Sequence, residues 1–468
     1  MNFRIEVICM RDDGTEERRE VLTITKEQLV METLGLTLAE GKALLSAVQT
    51  VVVAEQTAAY VGQHRSCPTC GKLHRSKEPR QSTVNTVFGP VTVPNPRWHR
   101  CPCQKAGPLT FRPTAQWLTG HTSPELLYLE TKWASLIPYA KVVDLLRDVL
   151  PVSETLNPET LRQHVHATAT KMERALGEEK ECLFDGTDDE WAAQPLPDGP
   201  MTVGIDGGFV RARRKAGFFE VIAGKSIVAF RRDEEHDIPA AKRFGFVQTY
   251  DTKPRRRLWE LLKSQGMQEN QAVLFLSDGG ETVRQLQTYL HPSSAHIIDW
   301  FHIAMKLTVL QQQNKAFIEE NPAGGQQVAT TLDRVKHYLW HGNVEKALEC
   351  LGLVLFDLDV LRRRFPAAAK LTRGVTEFDT YVRNNRKFIP NFGERYRQGD
   401  TISTAFVEST INQVVSKRFV KRQQMQWTQK GAHLLLQTRT KVLDGDLEGV
   451  FRGWYPQFRP VLAASPNP

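Results

Sequence analysis

From Met201 onward the hydropathy pattern sets out three strand-like runs in succession, at 201–206, about 218–230 and about 244–250, before any helix intervenes. A helical run at 253–266 follows, then strand 272–277, helix 280–290, strand 295–299 and helix 301–313. Three strands joined by short turns and followed by alternating units make an order distinct from a uniformly alternating doubly wound sheet.

That is the order of an RNase H-like core, in which the first strand carries an acid and the fourth ends in another. Asp206, in Gly204-Ile205-Asp206-Gly207, and Asp278, in Leu276-Ser277-Asp278-Gly279, fall on those strands. Carboxylates are the ligands for two Mg²⁺ ions about 4 Å apart, which would activate a hydroxyl on one side of a phosphodiester and stabilise the leaving oxygen on the other. Gly207-Gly208 and Gly279-Gly280 are expected to turn the backbone sharply and leave room for a phosphate. Either motif alone also reads as a plain tight turn. For a third acid the chain offers Asp299, Glu281 and Glu408. Glu408 is favoured, in a helical run in which it shares a face with Asn412 and which then turns basic at Lys417, Arg418, Lys421 and Arg422.

At these residues the chain resembles DDE transposases of bacterial insertion sequences, in the Mutator-like class with a helical insertion before the last acid (ISKra-type). Asp299-Trp300-Phe301-His302 is similar to the Asp-x-x-His signature that follows the second acid in that class. Asp278 lies 72 residues after Asp206 (278 − 206) and Glu408 lies 130 after Asp278 (408 − 278), room for an inserted domain. Tyr381 to Asn385, Gly399 to Thr404 and Gln424 to Thr428 resemble the family as well. The resemblance implies a catalytic triad of Asp206, Asp278 and Glu408 holding two Mg²⁺ or Mn²⁺ ions, with Asp299 and His302 accessory. It further implies a DNA transposase that binds terminal repeats, hydrolyses phosphodiesters and transfers strands to target DNA, as a homo-oligomer in the synaptic complex. A structure-specific nuclease on the same fold and a non-catalytic, transposase-derived DNA-binding regulator are the alternatives.

A chain of 468 residues exceeds one core and is expected to be modular. The expected α/β multidomain organisation runs from a strand and helical lead-in (1–63) through a zinc-ribbon-like module (64–106) and a helical, helix-turn-helix-like DNA-binding region (107–185) to a linker (186–200). The core follows in two parts, 201–313 and 396–445, around an all-α insertion at 314–395, with a tail at 446–468. In the second module Cys67, Cys70, Cys101 and Cys103 supply two thiolate pairs, enough for one tetrahedral structural Zn²⁺, with His74 and His99 as alternative ligands. Cys9, Cys182 and Cys350 read as isolated buried thiols.

Sixty-one basic against 53 acidic residues give a net charge of +8, which favours a polyanionic partner without establishing one. Basic residues around the cysteines, Arg162, His164 and His166 on a presumed reading helix, the run Arg211 to Lys215 and the run Lys253-Pro254-Arg255-Arg256-Arg257 are candidates to face DNA, or plain solvated faces. No signal-peptide core and no uninterrupted apolar run of bilayer length are evident, so a soluble protein of the bacterial cytoplasm, nucleoid-associated when bound to DNA, is expected.

Overall fold

The computed structural model describes residues 1–460 apart from 12–13, 105–106, 181–182, 184–186, 196, 198, 214–216, 229–240, 281–293, 404–408 and 421–424. It forms two compact units, Met1–Thr168 with Gly445–Pro468, and Ala169–Asp444. Glu281 and Glu408, both weighed as third acids, lie outside the described residues, as do Lys421 and Arg422.

The first unit opens with a hairpin of which sequence pattern foretells only half. Strand β1 (Asn2–Met10) pairs antiparallel with β2 (Glu16–Thr25), whose opening Glu-Glu-Arg-Arg-Glu hides the strand period behind charge. The ion pairs Arg11–Glu17 and Arg19–Glu17 hold that charged end. Helix α1 (Leu38–Gln63) starts at a reciprocal cap between Thr37 and Glu40. By length and composition the stretch Met31–Gln63 would cross a bilayer, a test that core helices and signal sequences also pass. In this unit α1 packs on β2 and on the strand Gly89–Pro94.

Five short strands, β3 (Ser76–Glu78), β4 (Gln81–Thr86), β5 (Gly89–Pro94), β6 (Arg97–His99) and β7 (Thr110–Phe111), make up the cysteine module as a two-stranded and a three-stranded sheet. Gly89, at φ 109°, makes the β4–β5 turn, where a Cβ would lie 2.9 Å from Ser46 Oγ. Three helices follow, α2 (Pro124–Ala134), α3 (Tyr139–Val149) and α4 (Pro158–Ala175), the last crossing the division between the units. Asn157 caps α4 as its sequence position predicts, its Oδ1 accepting from the amides of Glu159 and Thr160 at 3.0 Å each. The expected C-terminal tail instead contains the helix Leu447–Trp454, whose buried Phe451 meets Tyr128 edge to face.

In the second unit a short helix, α5 (Asp188–Ala192), precedes β8 (Met201–Arg211), β9 (Phe218–Val228) and β10 (Ala241–Val247). Helix α6 (Pro254–Lys263), β11 (Val273–Ser277), β12 (Ala295–Ile298) and α7 (Trp300–Glu320) come next. The five strands form one sheet in the order β10-β9-β8-β11-β12, with β10, β9 and β8 antiparallel and β8, β11 and β12 parallel. One face of this sheet packs Val203, Ile205, Ile222, Phe244 and Phe275 against Leu258 and Leu262 of α6. Helices α8 (Pro322–Trp340), α9 (Val344–Leu361), α10 (Pro366–Asn385) and α11 (Phe392–Arg397) continue from α7 and share a separate core that includes Leu307, Leu332, Leu351, Leu371 and Phe378. A wide helical turn, Asn412–Val420, and α12 (Gln429–Leu443) return to the sheet, where Gln437 Nε2 donates to Gly245 O at 3.0 Å.

Candidate functional site

Register alone brings the two aspartates together. Parallel pairing sets Leu276 of β11 beside Gly204 of β8, so two residues further on Asp278 comes beside Asp206. Strand β8 does not end at Asp206: Gly207 and Gly208 continue it to Arg211, paired with Ile222 and Val221 of β9. The expected sharp turn after the first acid is therefore absent, and Gly207 serves close approach instead. A Cβ on it would lie 2.8 Å from Glu220 Oε1. After the second acid the turn is real, with Gly279 at φ 89°. Asp278 Oδ1 accepts from the Gly280 amide at 2.9 Å, and Asp206 Oδ1 from the Gly207 amide at 2.7 Å.

Glu220, which the sequence reading passed over, lies close enough to both aspartates to feel their charge. It stands on β9 opposite Phe209, and its carboxylate makes no hydrogen bond or ion pair among the described residues. Burial raises its pKa, and the charges of Asp278 and Asp206 raise it further. The pKa of Asp206 is likewise raised, by burial first and also by Asp278 and Asp299, against the opposing pull of the Gly207 amide and His302. The fold alone brings Glu220 near the aspartates. In the sequence it is one acid inside an apolar run.

Asp299 and His302 are neighbours for a reason visible in the backbone. Asp299, fully buried, caps α7: its Oδ1 accepts from the Phe301 amide at 2.8 Å while Oδ2 accepts from His302 Nδ1 at 2.9 Å. The spacing of three is thus that of an N-cap and the third residue of the helix. With both oxygens engaged, Asp299 orients His302 and is poorly placed to be the third metal acid. Burial pulls the His302 pKa down, but the hydrogen bond and charge of Asp299, with Asp206 and Asp278, outweigh it and leave the pKa raised. The imidazole is therefore biased toward the cation, facing the aspartates.

The helices from 322 to 397 also touch this centre. Tyr381 Oη, on α10, donates to the main-chain oxygen of Asp278 at 3.0 Å. One turn on, Asn385 Oδ1 occupies the space that a Cβ on Gly279 would need, 2.6 Å from it.

A second group of potential ligands in the same unit, Glu173, Asp251 and His433, is already filled by an arginine. Arg257 donates to Glu173 at 2.8 and 3.0 Å, to Asp251 at 3.0 Å through two nitrogens, and to Gln437 at 2.6 Å. Burial opposes ionisation of Glu173, yet His433 and Arg257 bring its pKa down to about 2. The rest of the basic run that opens α6 is engaged in the same way, Lys253 with Glu178, Arg255 with Glu179 and Arg256 with Glu260.

In the first unit the four predicted cysteines converge, with sulfurs at 3.5 Å (Cys67–Cys103), 3.4 Å (Cys70–Cys101) and 3.4 Å (Cys70–Cys103). A tetrahedral zinc with bonds of about 2.3 Å sets its sulfurs about 3.8 Å apart, whereas a disulfide needs about 2 Å. The group can therefore hold a structural zinc. Burial opposes the Cys67 thiolate, but the amides of Thr69 and Cys70 and the neighbouring thiols bring its pKa down to about 6, and Cys103 is pushed up in turn. His74 is turned away, its Nδ1 on His99 O at 3.1 Å, and neither histidine joins the cluster. On α4, Arg162 pairs with Glu159 and also meets His166 at 3.3 Å, and His164 turns inward to the buried Glu130 at 2.6 Å.

No protein-family model matches this chain, and no curated protein matches it.

Proposed function

We propose that the chain is a DNA transposase with an RNase H-like core, which cleaves phosphodiesters at the ends of its element and transfers the strands to target DNA. The observation that carries this reading is the mixed sheet order with Asp206 and Asp278 on adjacent parallel strands, at the edge where Asp299 caps α7 and presents His302.

The donor set suits a hard divalent cation. Asp206 and Asp278 sit side by side at the strand ends, Glu220 is near enough to feel their charge, and no lysine or arginine is paired to any of them among the described residues. Mg²⁺ or Mn²⁺ held there would supply Lewis-acid stabilisation of the charge that develops on the phosphodiester oxygens. The resemblance adds Glu408 as the acid that completes the triad. His302, biased toward its cationic form by Asp299, would hydrogen-bond an anionic phosphate oxygen or the leaving oxygen. Tyr381 and Asn385 keep the Asp278–Gly279 turn in one conformation, so the second acid meets its ligand without reorganising. The cysteine module and the helices 124–175 would supply the rigid, basic surface that binds terminal repeats.

The experiment is a strand-cleavage and joining assay on labelled DNA from either side of the coding sequence, with Mg²⁺ or Mn²⁺. The transposase reading predicts nicked and joined products, both abolished in Asp206→Ala while DNA binding persists. Nicking without joining would replace it by a nuclease. No product from wild-type protein, with DNA binding intact, would replace it by a DNA-binding regulator.

A further inference from the structure

Beyond the acids, the face of α7 that bears His302 carries one more charged group. Lys306 follows His302 by four residues, so the two lie one above the other on the helix, about 6 Å apart along its axis. Its ammonium sits 4.7 Å from the centroid of the Tyr381 ring. That is the tyrosine whose hydroxyl holds the Asp278 main-chain oxygen. The lysine is exposed and forms no ion pair among the described residues, unlike Lys253, Arg255, Arg256 and Arg257, which carboxylates neutralise.

We propose that Lys306 binds a backbone phosphate of the nucleic-acid strand next to the one addressed by the acidic centre. This rests on the metal-dependent strand-cleavage reading above. Electrostatics would draw an ammonium on a flexible stem onto the nearby carboxylates. Stacking on Tyr381 holds it one step away, where it leaves the acids free for a cation and still faces the same edge of the sheet. A phosphodiester strand running past His302 along α7 would meet Lys306 within one helical turn. The ring that fixes the lysine also fixes Asp278, so one tyrosine sets the spacing between the acid and the phosphate contact.

The test is equilibrium binding of a mixed-sequence DNA duplex of about 40 base pairs to the full chain, with Ca²⁺ in place of Mg²⁺, across a range of salt. Loss of one phosphate contact lowers the slope of log affinity against log salt by about 0.9. Lys306→Ala is expected to show that loss, so that between about 50 and 200 mM salt its affinity falls about 3-fold less than that of wild type. Lys306→Arg is expected to restore the slope, and Lys370→Ala, an exposed lysine on α10 without this placement, to leave it unchanged. In parallel, nicking of supercoiled plasmid with Mg²⁺ should show Lys306→Ala raising KM more than it lowers kcat. A wild-type slope in Lys306→Ala, failure of Lys306→Arg to restore it, an equal loss in Lys370→Ala, or no DNA binding by wild type overturns the proposal. Wild type that binds DNA but never nicks it defeats the cleavage reading instead, and the salt slopes still decide whether Lys306 touches a phosphate.

Discussion

Two groups of carboxylates with a histidine lie in the second unit, and their charges are balanced in opposite ways. Around Glu173, Asp251 and His433 the folded chain supplies its own cation, the buried guanidinium of Arg257, and every hydrogen-bonding direction of that group is used. Around Asp206, Asp278 and Glu220 it supplies one histidine, and two of the three acids have raised pKa values. The first arrangement is complete as it stands and reads as architecture. The second is costly to the folded state until something positive joins it, which is the expected signature of a binding centre.

The contrast is tested most severely by activity. Asp206→Asn should lower metal-dependent nicking by roughly 10³-fold or more, about 4 kcal/mol of transition-state stabilisation, with no loss of thermal stability. Glu173→Gln should leave nicking by the folded protein within a few-fold of wild type. Comparable losses in both variants would remove the distinction.

Next in size is stability. Arg257→Met strands the enclosed Asp251 carboxylate and the half-buried Glu173 carboxylate and should cost about 3 kcal/mol in urea unfolding. A cost below about 1 kcal/mol would mean that the guanidinium is not the counter-ion that holds this group together.

Metal linkage sharpens the same division. Mg²⁺ or Mn²⁺ at about 100 times its dissociation constant should stabilise the wild type by about 2.7 kcal/mol. That gain should vanish in Asp206→Asn, shrink in Glu220→Gln and persist in Glu173→Gln, as read by melting temperature against metal concentration.

The smallest effect is a pair of opposed pH dependences. Glu173, held down at about 2, contributes stability that is present above the ordinary glutamate range and is lost as the pH falls through that value. Asp206, held above its ordinary value, acts in reverse, since its ionisation as the pH rises weakens the folded state. Urea midpoints from about pH 3 to 6 should rise less steeply with pH in Glu173→Gln than in wild type, and more steeply in Asp206→Asn. The limiting slope is about 1.4 kcal/mol per pH unit for each proton.

What sequence could reveal follows the reach of its signals. The core strands were legible because apolar runs such as Val273 to Leu276 announce themselves locally, and the helical stretch 314–395 because leucines recur at helical spacing. Asp299 and His302 were legible as a pair, since a cap and its third residue are close in the chain. Glu220 was hidden because its nearness to the aspartates comes from the folding of three strands and not from its neighbours in the chain. The ion pairing of the run Lys253 to Arg257 was hidden in the same way. Its partners Glu173, Glu178 and Glu179 precede it by 70 residues and more, so the charges look solvated when read along the chain. Strand β2 was missed because its charged end conceals the alternation that marks a strand.

The hydrogen bond from Tyr381 to Asp278 joins residues 103 apart in the chain. Contacts of that separation close a large loop and form late, after local helices and hairpins have consolidated. The sheet can therefore assemble its strands while the turn bearing Asp278 is still unsecured, and that turn is fixed only when α10 docks. Any partner able to delay or loosen that docking would leave the Asp278 turn unsecured in a folded molecule, with no need to reach the acids themselves.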